Sequence, residues 1–230
     1  MNHALRPMLL SATLALLVGV AHYLVFAYAP VEVTMGVVQK IFYFHVSSAY
    51  VCYLGFLLCF IGSLGYLFTR KGRWDAFALA AAETGLLFGL IVLTTGPLWA
   101  RPVWGLWWVW EPRLTSLALL FLMFGAYFVL QNFGGAGEGI RRMAAALAVF
   151  ATPNIYFVHV AVERWGGIHP QIKEKTGGGL TPEMRSVFFF AIATVLTLFI
   201  VLLVQRYRMH LHLRLLSASR RRFSRLGGES

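Results

Sequence analysis

Residues Val187 to Val204 read V-F-F-F-A-I-A-T-V-L-T-L-F-I-V-L-L-V, eighteen positions without a charge, a proline or a glycine. A run of that kind matches a helix crossing the hydrocarbon core of a bilayer, which takes about 20 residues. Thr181-Pro182-Glu183 opens it, and proline is tolerated in a first helical turn. Working back from this segment (187–206), five more apolar stretches of similar length appear at about 8–28, 46–68, 76–96, 114–132 and 143–161. The breaks carry charge and glycine: Arg70-Lys71-Gly72-Arg73, then Gly134-Gly135-Ala136-Gly137 ahead of Arg141-Arg142. Hydrophobic residues make up 59% of the 230, against roughly 45–50% in soluble domains. The expected fold is all-α: a polytopic membrane protein of six transmembrane helices, one membrane domain over 1–230. The first stretch is longer than a signal-peptide core and no A-x-A-like site closes it cleanly, so it is read as a retained helix.

Lys and Arg set the orientation. One side of the six spans holds Arg6, the Arg70-Lys71-Arg73 group, Arg141, Arg142 and seven arginines from Arg206 onward, thirteen in all. The other side holds seven: Lys40, Arg101, Arg113, Arg164, Lys173, Lys175 and Arg185. The positive side is cytoplasmic, which puts both termini inside and the loops near 29–45, 97–115 and 162–186 outside. The basic stretch 207–230 is read as a cytoplasmic tail against anionic lipid headgroups. That accounts for the net charge of +11 without a nucleic-acid partner. Cys52 and Cys59 lie seven apart in one apolar run and read as small buried hydrophobes. No C-x-x-C-H is present, so covalent haem attachment to this chain is not expected.

The outer loops carry the chemistry. Trp104 to Trp110 reads W-G-L-W-W-V-W, followed by Glu111-Pro112-Arg113. Indoles commonly settle at the headgroup level as an interfacial belt. A cluster of Trp104, Trp107, Trp108 and Trp110 also offers a continuous π surface to a flat apolar ligand. Gly105 would permit close approach, and Arg113 could fork onto a carboxylate. Glu111 and Arg113 could equally pair with each other or cap the next helix. His45 and His169 flank the tryptophans from the other two outer loops, and two imidazoles can fill the axial positions of a haem iron. A lone histidine is more often structural. His3, His210 and His212 read as solvated or headgroup-facing. Glu83, deep in the third span, reads as part of a polar network without a nameable partner.

W-G-L-W-W-V-W-E-P-R-L-T at 104–115 resembles the signature W-G-x-x-W-x-W-D-x-R-L-T of tryptophan-rich haem-handling proteins. The resemblance runs from I-F-Y-F-H-V (41–46) through V-E-R-W-G-G-I-H-P (162–170) to M-R-S (184–186). With six spans and a histidine in each outer loop beside the motif, the chain resembles the cytochrome c maturation protein C family. Glu111 stands where that motif most often has Asp, and Pro112 follows it; the charge is kept. The resemblance implies a protein of the bacterial inner membrane that binds haem b non-covalently and transiently at the periplasmic surface. His45 and His169 would be axial ligands. Trp104, Gly105, Trp107, Trp108, Trp110, Glu111 and Arg113 would hold the macrocycle. The implied partners are a periplasmic haem chaperone that takes the haem, an ATP-binding-cassette pair and a small single-span subunit. This is haem delivery more than stand-alone catalysis. Competing readings are a cytochrome c synthetase or haem lyase subunit, a membrane b-type cytochrome built on His22 and His159, and a haem or solute transporter with a through-membrane path.

Overall fold

The computed structural model describes residues 5–135, 137–167 and 179–226. Helix α1 (Leu5–Tyr23) runs on as one π-helical turn, Leu24–Tyr28. A 3-10 turn, Val37–Lys40, leads into α2 (Ile41–Thr69). Then come α3 (Gly72–Trp104), α4 (Pro112–Phe133), α5 (Glu138–Ala151), α6 (Asn154–Trp165) and α7 (Pro182–Leu226). Among the described residues, six helical stretches are long and apolar enough to cross a membrane, α5 and α6 together making one of them. The chain is a polytopic all-α membrane protein. Among the described residues the β component is one isolated bridge, Glu32 to Gly36.

Several helix ends differ from those the apolar runs suggest, each for a local reason. Helix α3 does not stop near residue 96. Its 33 residues, about 50 Å of helix, pass through Pro97 and Pro102 and end at Trp104. Each proline removes one i→i−4 bond, a loss that membrane helices tolerate. Residues 97–104 are therefore helix, and only 105–111 form the turn to α4. The stop comes at Gly105, whose φ of +76° is left-handed and whose amide donates to the Arg101 carbonyl at 3.0 Å, the αL way of ending a helix. The fifth span is broken at Pro153. There the Thr152 amide and hydroxyl both turn back to the Ala148 carbonyl, at 3.2 and 2.8 Å. The basic stretch after Arg206 continues α7 as helix through Leu226.

The chain divides into two compact units, and α2, α3 and α7 contribute to both. The first comprises Met1–Val51, Gly89–Val109 and His169–Ile200. Its core gathers Val25, Ala29, Tyr43, Met184, Val187, Phe188 and Ala191. Phe42 leans on Phe188 with ring centroids 4.8 Å apart. Lys40, buried, donates from Nζ to the Phe26 carbonyl at 2.8 Å, which ties the end of α1 to the entry of α2.

The second unit comprises Cys52–Phe88, Trp110–Ile168 and Val201–Ser230. Here α2 and α3 touch through small residues. A Cβ on Gly55 would sit 2.7 Å from Gly85 Cα, and one on Gly62 would sit 2.9 Å from the Ala78 Cβ. Without a solvent-driven hydrophobic force inside the bilayer, such close backbone approach is what holds membrane helices together. Phe56 fills the space left beside Gly85 and stacks on Phe124 at 3.9 Å with the planes 4° apart. Cys52 and Cys59 are buried here as thiols, as expected. Helices α3 and α7 are joined by two charged rungs. Arg206 Nε and His210 Nε2 meet Glu83 Oε2 at 2.7 and 2.8 Å. Eight residues away along each helix, Arg214 meets Asp75 at 2.5 Å. Gln131 donates to the other Asp75 oxygen at 2.6 Å, and Arg141 approaches at 3.9 Å. His210 is thus buried on Glu83, not solvated or headgroup-facing. Glu83, for which sequence supplied no partner, has two.

Candidate functional site

His45 lies one turn into α2, half-buried in the first unit. Its Nδ1 is 2.9 Å from the Thr95 hydroxyl on α3. Thr95 Oγ1 in turn donates to the Ile91 carbonyl at 2.6 Å. The next residue is Gly96, where an added Cβ would meet His45 Cε1 at 3.4 Å. The imidazole edge therefore rests against α3 just before Pro97. The chain approaches α2 through a folded turn. Glu32 Oε2 accepts from the Thr34 and Met35 amides at 2.9 and 2.5 Å, and Gly36 turns with φ +62°. The Met35 bond foremost, with those from Thr34, holds the Glu32 carboxyl below the usual carboxylate value.

At its C-terminal end α3 carries Trp99 and Trp104 edge to face, centroids 5.0 Å apart. Arg101 bonds the Gly105 carbonyl through Nη1, which pins the first peptide of the turn to the helix. The Gly105 requirement is conformational: a Cβ there would meet nothing within 4 Å, but φ +76° is costly for any other residue. Trp107 is 57% exposed and Trp108 half-buried. His45, Trp104, Gly105, Trp107 and Trp108 all belong to the first unit.

Trp110, Glu111 and Arg113 belong to the second. Trp110 is 77% exposed. Glu111 is the residue preceding α4, 5% exposed. Its carbonyl accepts the Thr115 amide at 2.9 Å, but its side chain makes no capping bond. The longer Glu side chain is outside the Asp, Asn, Ser and Thr set that favours that bond, so the capping role considered for it rests on backbone alone. Arg113 is half-buried in the first turn of α4. His169 lies outside the described residues.

His22 and His159 are bound within their own helices. His22 Nδ1 donates to the Val18 carbonyl and His159 Nδ1 to the Ile155 carbonyl, each at 2.8 Å. His22 sits in the first unit beside Phe44, centroids 4.8 Å apart, and His159 in the second beside Tyr53, at 4.9 Å.

The model of one protein family, described as Heme exporter protein C, matches residues 1–222. The chain belongs to that family. Among its relatives, the heme exporter protein C of Bradyrhizobium diazoefficiens is 32% identical over 228 residues, covering 95% of this chain and 85% of the relative. That of Paracoccus denitrificans is also 32% identical, covering 82% and 80%. That of Escherichia coli K12 is 33% identical over 186 residues, covering 80% and 74%.

Sequence reasoning passed over Thr95 and Gly96. Their signal was Thr94-Thr95-Gly96-Pro97, a polar and glycine–proline break just where the third apolar run fades. It also missed the Glu32 turn, whose Gly36 is the only local hint.

Proposed function

We propose that this protein binds haem at the outer, periplasmic surface of the bacterial inner membrane. It then hands the haem to a periplasmic haem chaperone during cytochrome c maturation. The observation that carries the reading is the outer stretch of α3. One helix grips the His45 imidazole through Thr95 and then ends in a turn that exposes Trp107. A nitrogen donor and exposed indole area within one compact unit fit a flat apolar macrocycle with an iron centre. The family's name points to the same cargo.

In this reading haem is cargo. His45 and His169 supply axial nitrogens, and Trp104, Trp107, Trp108 and Trp110 supply apolar contact. Gly105 sets the turn, and Glu111 and Arg113 add polar contacts at the macrocycle edge. The haem is haem b, held without a covalent bond, so a partner with a better site can remove it. The chain has no phosphate-binding glycine loop, so an energised step belongs to an ATP-binding-cassette pair, joined by a small single-span subunit. Anionic lipid faces the basic cytoplasmic end.

The test is the visible spectrum of the purified full-length protein loaded with hemin. His45→Ala and His169→Ala are each expected to lose haem or change the axial-ligand bands. Wild-type spectra in both variants would overturn the ligand assignment.

A further inference from the structure

We propose that Thr95 is a positioning residue: its hydroxyl fixes the proton of His45 on Nδ1 and so holds Nε2 as the ligating nitrogen. The inference rests on the reading of His45 as an iron ligand and goes beyond it in naming the atom and the residue that selects it.

A threonine hydroxyl has one proton and two lone pairs. Thr95 Oγ1 lies 2.6 Å from the Ile91 carbonyl and 2.9 Å from His45 Nδ1. A carbonyl only accepts, so the hydroxyl proton is committed to Ile91. Toward His45 the same oxygen can then only accept. Nδ1 must therefore carry hydrogen, and in the neutral imidazole Nε2 carries the lone pair. Gly96 lies against the same ring edge: a Cβ there would come into ordinary contact, at 3.4 Å, with Cε1, the carbon between the two nitrogens.

The bonding of His22 and His159 is different. His22 and His159 send their Nδ1 protons to carbonyls of their own helices, four residues back. The His45 partner stands 50 residues away, on a different helix. The ring orientation is thus set by α3, the same helix that delivers Trp104 and the turn after it. A hydroxyl already donating elsewhere is a neutral acceptor, weaker than a carboxylate. It orients the imidazole and adds modest basicity at Nε2.

The experiment uses full-length protein in lipid nanodiscs, with hemin as the probe. Thr95→Val keeps the shape and removes the acceptor, while Thr95→Ser keeps the hydroxyl. Valine is expected to raise the rate of hemin loss to apomyoglobin roughly tenfold, the low end for losing an outer partner of a ligand. It should also move the midpoint potential upward and alter the ferric electron-paramagnetic spectrum, with serine restoring all three. His45→Ala is the control for the parent reading: if it keeps the wild-type spectrum, that reading fails and the proposal with it. If His45→Ala loses the ligand bands while Thr95→Val matches wild type, the ligand reading stands and the positioning role is overturned. A measurement on unaltered protein covers poor folding of the variants. The ¹⁵N resonances of His45 in the hemin-free state, identified by their loss in His45→Ala, should show Nδ1 protonated. An Nε2-protonated ring would overturn the proposal.

Discussion

Replacing Trp107 with alanine separates a ligand platform from an interfacial belt. The ring is 57% exposed in the structure. For an indole side chain of about 250 Å², that leaves roughly 140 Å² uncovered. A planar ligand covers one face, about 70 Å². At about 25 cal/mol per Å² the contact contributes about 1.8 kcal/mol, or roughly 20-fold in Kd. Because that area is not buried against the rest of the chain, stability should change by only about 0.5 kcal/mol, as at ordinary surface positions. Hemin titration in nanodiscs, followed at the Soret band, reads the first quantity. Thermal unfolding of the same preparation reads the second. Trp107→Ala should bind roughly 20-fold more weakly with an unchanged melting temperature, and Trp107→Phe should fall between. A wild-type Kd in a correctly inserted Trp107→Ala protein would refute the platform and leave the indole as a headgroup anchor.

Two further outcomes follow from charge. Asp75 is 1% exposed between Arg214, Arg141 and Gln131; Asp75→Asn keeps the shape but leaves two half-buried arginines facing a neutral group. Removing one member of a buried ion pair costs about 3–5 kcal/mol, and since both guanidinium groups keep some water contact the lower figure applies, read as a lower unfolding temperature in detergent. Glu32 has a depressed pKa, so its hold on the Thr34 and Met35 amides is fully present above the ordinary value of 4.5 and fades as pH falls through the lower folded value. Hydrogen exchange at those two amides should accelerate as pH falls below the ordinary value of 4.5, beyond the intrinsic trend, and Glu32→Gln should abolish that pH dependence.

Much of the architecture was legible because membrane insertion is close to additive. Each apolar residue adds its own transfer free energy, so a run such as Val187–Val204 declares a helix without reference to anything else. The tryptophan motif was legible for a related reason: its indoles, Gly105 and the following Glu111-Pro112-Arg113 are neighbours in the chain. Helix ends were less so. The prolines at 97, 102 and 112 looked like loop residues, yet only Gly105 has the backbone angle that stops α3.

What sequence alone determined is therefore the class of molecule, the six apolar spans and the tryptophan-rich stretch between the third and the fourth. Tertiary structure decided the pairings: Thr95 on His45, Arg206 and His210 on Glu83, and Arg214 on Asp75. These partners stand 50, 123, 127 and 139 residues apart. Hydrogen bonds and ion pairs depend on distance and angle, and no local periodicity encodes the register between one helix and another.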